Sequence, residues 1–183
     1  PCYIRLESEL DVSLIEEQVP VELSATQRRA YEKLEKDMIV WVEDNPLVVE
    51  FPFTLRTRLR QATLGMFSVT DEGEVVFKND CKSSKIEALE DILKNRIDDE
   101  PALILTDSRK FADVMCARIP GSVPWHGNVS QAQREKHKAQ FMAGEVKYVI
   151  AVISAIAEGV DGLQHATRNI VWVSRSDNRI LNE

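Results

Sequence analysis

Three short runs in the second half of the chain set small hydroxyls, amides, glycines and bases directly after apolar, strand-like segments. After "ALIL" (102–105) come Thr106, Asp107, Ser108, Arg109 and Lys110. After "SVPWH" (122–126) come Gly127 and Asn128, then Gln131 and Arg134. After "KYVIAVI" (147–153) comes "SAIAEGVDG", Ser154 to Gly162. Hydroxyls, guanidiniums and the free N–H groups of a helix start hydrogen-bond phosphate oxygens without reading a base. Three such loops on one edge of a sheet would follow a nucleic-acid backbone. Each member also has a plainer use. Asp107 or Ser108 can serve as a helix N-cap, Gly159 and Gly162 can allow positive φ in a tight turn, and Arg134 alone would be a solvated charge. His126 reads as a packed strand-end residue, because no second ligand sits at metal spacing. Asp98, Asp99 and Glu100 before Pro101 read as a solvated loop, and Arg56 with Arg60 as a solvated helix face. The order of the three runs, not any single residue, carries the chemical reading.

The elements that must position these loops can be read from periodicity. In the second half, "SKIEALEDILKNRI" opens with Ser84 and Glu87 as a capping box and carries Ile86, Leu89, Leu93 and Ile97 on one face. "ALIL" is a buried-type strand, "SRKFADVMCARI" a helix, "SVPWH" a short strand, and Ser130 to Met142 a helix stopped by Gly144. "KYVIAVI" and "NIVWV" are further β-branched runs. Strands alternating with helices imply βαβ units and a parallel sheet, where ligands gather at the carboxyl ends of the strands. The first half is different. "VPVEL" (19–23) alternates like a short strand, and Ser24 with Gln27 forms a capping box. Tyr31, Leu34, Met38 and Trp41 then predict a helix of about four to five turns. "TLRTRLRQATLG" reads as a helix closed by Gly65, and "MFSVTDEGEVVF" as a hairpin turning at Asp71-Glu72-Gly73.

The totals narrow the class. The chain has 183 residues, 44% hydrophobic and 29% charged, which suits a globular domain. No apolar run approaches the roughly 20 residues that span a bilayer, so no membrane partner is expected. Three cysteines, far apart and without a C-x-x-C spacing, argue against a disulfide framework or zinc site and suit a reducing, cytoplasmic setting. A net charge of −7 means that any nucleic-acid contact must come from a local basic face.

With those loops in view, the second half resembles the second RecA-like domain of superfamily 2 helicases and translocases. "ALILTDSRKFADVM" is similar to motif IV. "HGNVSQAQREKHKAQFMAGEVKYVIAV" resembles the next stretch, where His-Gly precedes a Gln and an Arg three residues apart. "ISAIAEGVDGLQHATRNIVWV" resembles motif V. "VPVELSATQRRAYEKL", "RLRQATLG" and "SSKIEALEDIL" resemble the approach into this lobe in the Swi/Snf-like branch of DNA translocases. The resemblance implies an α/β fold, a RecA-like parallel sheet flanked by helices behind a mainly helical extension with a hairpin. It divides the chain into an approach segment over 1–80 and the lobe over 81–183. Ser108, Arg109, Gly127, Arg134 and Ser154 would contact phosphates. Gly159 and Asp161 would lie near ATP, with Asp161 on the ribose if the DEAD-box pattern holds. Two positions depart from that pattern: the Swi/Snf branch has a small residue at Asp161, and Glu158 stands where DEAD-box proteins place an Arg. The missing large insertions suit a compact bacterial or viral member.

No G-x-x-x-x-G-K-[ST] occurs in the sequence. The resemblance therefore assigns the phosphate loop, and the Mg2+ that accompanies ATP, to a first RecA-like lobe outside this chain. The sequence stops at "SRSDNRILNE", about where motif VI would begin. Arg175 and Arg179 precede that motif and are not expected to act as its arginines. The expectation is a C-terminal lobe fragment of an ATP-dependent DNA helicase or translocase, inactive on its own, with duplex DNA and the first lobe as partners. Alternatives are an RNA or single-strand helicase lobe, a non-catalytic docking module, and an unrelated nucleotide-binding α/β domain.

Overall fold

The computed structural model describes residues 15–175 apart from 38, 43–44, 49–51, 71–74, 79, 157–159 and 161. Four strands make a parallel sheet: β5 (Ala102–Thr106), β6 (Ser122–Trp125), β7 (Tyr148–Val152) and β8 (Asn169–Trp172), in the order β6-β7-β5-β8. β5 and β7 are buried along their whole length, as their unbroken apolar runs require of strands covered on both faces. Their side chains alternate between two cores. Ala102, Ile104, Tyr148 and Ile150 face one; Leu103, Leu105, Val149 and Ala151 face the other. Helices α3 (Ser84–Asn95) and α4 (Arg109–Arg118) cover the first face through Ile86, Leu89, Phe111 and Met115. Helix α5 (Gln131–Met142) covers the second through Phe141.

The first core extends into the N-terminal elements. These are helix α1 (Ala25–Asp37), an antiparallel pair β1 (Ile39–Val42) and β2 (Asn45–Val48), helix α2 (Pro52–Leu64), and a hairpin of β3 (Phe67–Val69) and β4 (Val75–Phe77). Leu34, Ala62, Leu64, Phe67 and Phe77 belong to the same buried cluster as Ile104 and Phe111. Phe77 meets Phe67 edge-on at 6.2 Å and Phe111 at 5.4 Å, so a row of rings fastens the hairpin to α4.

Three sequence expectations are corrected. The first helix stops at Asp37, and Ile39-Val40-Trp41-Val42 pair with Asn45–Val48 as a strand. Three β-branched residues in the four of Ile39–Val42, with a partner strand to pair with, outweigh the helical spacing of Trp41; Met38 lies outside the described residues. "VPVEL" forms no strand: residues 19–23 are irregular, because alternation without a partner leaves the backbone unpaired, and Pro20 has no N–H to offer. The N-cap of α3 is Ser83, whose Oγ accepts from the Ile86 N–H, not Ser84. The hairpin's expected turn, Asp71 to Gly73, lies outside the described residues.

Ser84 serves a different junction. Gln27, fully buried on α1, accepts through Oε1 from the Ser84 N–H, the Ser84 hydroxyl and the Ser24 hydroxyl, each at 3.2 Å, and donates through Nε2 to the Ala62 carbonyl at 3.4 Å. The capping half of the Ser24–Gln27 pair is present, with the Gln27 N–H 3.3 Å from Ser24 Oγ. The reciprocal half is not. The amide of Gln27 instead joins α1, α2 and α3, while the Ser24 N–H donates to Ser84 Oγ. Gly65 closes α2 tightly against this junction: a Cβ there would lie 3.2 Å from both Cys81 Sγ and Ser83 Cβ.

Candidate nucleic-acid interface at the carboxyl edge of the sheet

The loop after β5 is built by two hydroxyls. Ser108 caps α4, its Oγ accepting from the Phe111 N–H at 3.3 Å, which decides between it and Asp107. Its own N–H donates to Thr106 Oγ1. Arg109, exposed at the first position of α4, donates through Nη1 to Asn128 Oδ1 at 3.0 Å. That bond spans from the loop after β5 to the loop after β6, although β7 lies between the two strands.

The second loop rests on His126, which is buried as its sequence position implied. Nδ1 accepts the Asn128 N–H at 3.3 Å, so the ring proton sits on Nε2, which donates to Asp113 of α4 at 2.8 Å. The Val129 N–H donates to the His126 carbonyl. Gly127 is exposed, has no positive φ, and has open space where a Cβ would stand. Nothing within the fold demands a glycine there.

Ser130 caps α5, accepting from the Gln133 N–H at 3.3 Å. Arg134 follows one turn later, half-buried, and its Nε is buried without a hydrogen-bond partner among the described residues. Lys138 is four residues on, on the same helix face. Its Cε would lie 3.5 Å from a Cβ at Gly162, so α5 leans on the loop after β7. Gly162 has φ +97°, a conformation L side chains rarely adopt. Ser154 is exposed within a single helical turn, α6 (Ile153–Ile156), which begins directly where β7 ends. Gly159 and Asp161 lie outside the described residues.

At the other end of the edge, Arg60 is not the solvated charge its helical spacing implied. It pairs with Asp107 and donates to the Arg175 carbonyl at 2.8 Å. Ser174 Oγ donates to Asp107 Oδ1 and accepts the Asp107 N–H at 3.0 Å. The single Ser174 proton being committed, the 2.9 Å contact with Thr106 has the threonine hydroxyl as donor. Lys85 donates to the Val173 carbonyl at 3.0 Å. Burial, with the Arg60 charge adding to it, holds the Lys85 ammonium below the usual lysine range.

The structure thus joins Ser108 and Arg109 to the Gly127 loop, and sets Arg134 at the start of the neighbouring helix. Asn128, Lys138, Arg60 and Lys85 were not singled out as site residues from the sequence. Lys138 was legible as i+4 from Arg134; the others act through partners 19 to 115 residues away. The acidic run at 98–100 is exposed, as a solvated loop would be; Asp99 also accepts from Tyr148 Oη at 3.2 Å and Glu100 from Asn169 Nδ2 at 3.1 Å. Among the described residues no group of three His, Cys, Asp or Glu could hold a metal, and no helix is long and apolar enough to cross a membrane.

Residues 84–171 match the helicase conserved C-terminal domain. In fold, the chain is similar to the C-terminal part of the Fun30 ATPase domain, with a TM-score of 0.59 over 85% of this chain and 74% of that one, at 13% identity. At that identity the likeness speaks for a RecA-like α/β fold. The domain match and the fold together support a helicase C-terminal lobe. No curated protein sequence matches the chain.

Proposed function

We propose that this chain is the second lobe of an ATP-driven DNA translocase of the Swi/Snf-like kind, and that its carboxyl edge grips the sugar-phosphate backbone of duplex DNA. The observation that carries the reading is the bond from Arg109 to Asn128. It fuses two strand-end loops into one surface beside the capped start of α5, where Arg134 presents a half-buried guanidinium. Arg109, Arg134 and Lys138 supply positive charge, Ser108 and Ser154 hydroxyls, and Gly127 an unobstructed approach to main chain. Such contacts position a duplex without reading its sequence.

In this reading ATP and its Mg2+ would be held between this lobe and a first RecA-like lobe, Gly159 and Asp161 being the residues that the motif V resemblance assigns to the nucleotide. When bound, ATP supplies the free energy that alternates cleft closure and opening. This chain's own residues hold the backbone during that cycle. Binding of mixed-sequence duplex DNA tests the surface: the account expects weak, salt-sensitive binding, and affinity indifferent to salt would reject it. A preference for single strands or RNA would favour the strand-separating alternative, and absence of any nucleic-acid binding the docking module.

A further inference from the structure

We infer that Arg60 and Lys85, which lie outside the sheet, form a clasp that parts the ends of β5 and β8 and so sets the loop carrying Ser108 and Arg109. The ladder between the two strands continues one step beyond β8, with the Val173 N–H on the Leu105 carbonyl at 2.9 Å. In a parallel pair the next rung would bring the Asp107 N–H to the Val173 carbonyl. Neither group makes that bond. The Asp107 N–H goes to Ser174 Oγ, and the Val173 carbonyl takes the Lys85 ammonium. Arg60 then spans the gap, its Nη2 shared between the Asp107 carboxylate on one strand end and the Arg175 carbonyl on the other.

The interruption is fully satisfied, so it is not a frayed end. Asp107 directs both carboxylate oxygens, one to Ser174 and one to Arg60. The side chains of Arg60 and Asp107 are 29% and 21% exposed, which shields the pair from solvent screening. The parted strands leave Asp107 turned toward α2, and the chain leaves it as the cap Ser108 and then Arg109. Arg60 and Lys85 are therefore positioning residues: they act on the proposed backbone contacts through Asp107 and need not touch the nucleic acid. This rests on the proposed function for its consequence, while the clasp itself is a separate claim.

The test uses Arg60→Lys, which keeps the charge but is one bond too short to set a nitrogen where Nη2 bridges the two acceptors, and Asp107→Asn as a second variant. Amide hydrogen exchange at positions 107 and 108 should accelerate roughly tenfold in both variants, with exchange at Ile150 in β7 unchanged. Affinity for mixed-sequence duplex DNA should fall by roughly fivefold to tenfold, on the scale of one displaced hydrogen bond. The slope of log affinity against log salt should stay as in the native chain, whereas Arg109→Ala should lower it by about 0.9 for one lost phosphate contact. Unchanged exchange at 107 and 108 in both variants overturns the clasp. Accelerated exchange with native affinity overturns its positioning role, and a reduced slope in Arg60→Lys shows a direct phosphate contact instead. If the native chain binds no DNA, the proposed function fails, and the exchange result still decides the clasp.

Discussion

Gln27→Ala should be among the more destabilising single changes in the first half of the chain, although no charge is involved. The amide makes four side-chain hydrogen bonds at a fully buried position, three of them to two other helices and one to Ser24 at the cap of its own. Truncation strands the Ser84 N–H and the Ala62 carbonyl; the Ser84 and Ser24 hydroxyls can rotate to other partners. Each stranded buried group costs about 1–3 kcal/mol. Alanine returns about 0.4 kcal/mol of helix propensity, so a net loss near 3 kcal/mol follows. Urea unfolding gives the value directly, provided the m-value is unchanged. Ser24→Ala removes one cap and should cost about 1 kcal/mol. Because Gln27 and Ser84 share bonds, the Gln27→Ala/Ser84→Ala double variant should fall short of the summed single costs by about 1 kcal/mol. A Gln27→Ala cost under about 1 kcal/mol, or strict additivity with Ser84→Ala, would refute the junction as the element that registers α1, α2 and α3.

Other consequences can be checked as directly. Arg134→Ala should weaken duplex binding and lower the salt slope by about 0.9, as one phosphate contact would; an unchanged slope would remove Arg134 from the interface. Burial pushes the Cys116 thiol up to about 12 from 9.0, against a weaker opposing hydrogen bond from Ser122. Since the folded pKa is raised, the unfolded chain loses this proton first. The contribution is full below pH 9 and declines from there to about pH 12, by about 1.4 kcal/mol at pH 10. Cys116→Ala should flatten that part of the unfolding-versus-pH curve; an unaltered alkaline decline would contradict the assignment. Gly162→Ala places a side chain at φ +97° and should cost more than about 1 kcal/mol in thermal or urea unfolding; unchanged stability would contradict the left-handed conformation at this position.

Much of the second half was legible because burial wrote itself into period. β5 and β7 needed unbroken apolar runs, α3 needed one apolar face, and α5 was marked by Ser130 before it and Gly144 after it. The hairpin of Phe67–Val69 with Val75–Phe77 was legible for the same reason. Residues 39–42 were not, because Trp41 fits a helical period as well as a strand, and pairing with 45–48 decides between them. Ser83 and Ser84 are adjacent serines with interchangeable capping signals. The distance to Gln27, set by the tertiary fold, assigns one to the cap and the other to the junction. The three loops were placed on one edge by the alternation of strands and helices alone, which implies a parallel sheet. Their joining by Arg109 and Asn128 was not foreseen, and neither was the recruitment of Arg60, since a sequence does not say which distant carboxylate a helix-face arginine meets.

As proposed, this lobe belongs to a motor driven along duplex DNA. Steady-state ATP turnover of the full-length protein containing it, measured with duplex DNA, single-stranded DNA, RNA and no nucleic acid, tests that most directly. Turnover should be stimulated more by duplex DNA than by any other nucleic acid. Stimulation only by single strands or RNA, or no turnover under any condition, would contradict it.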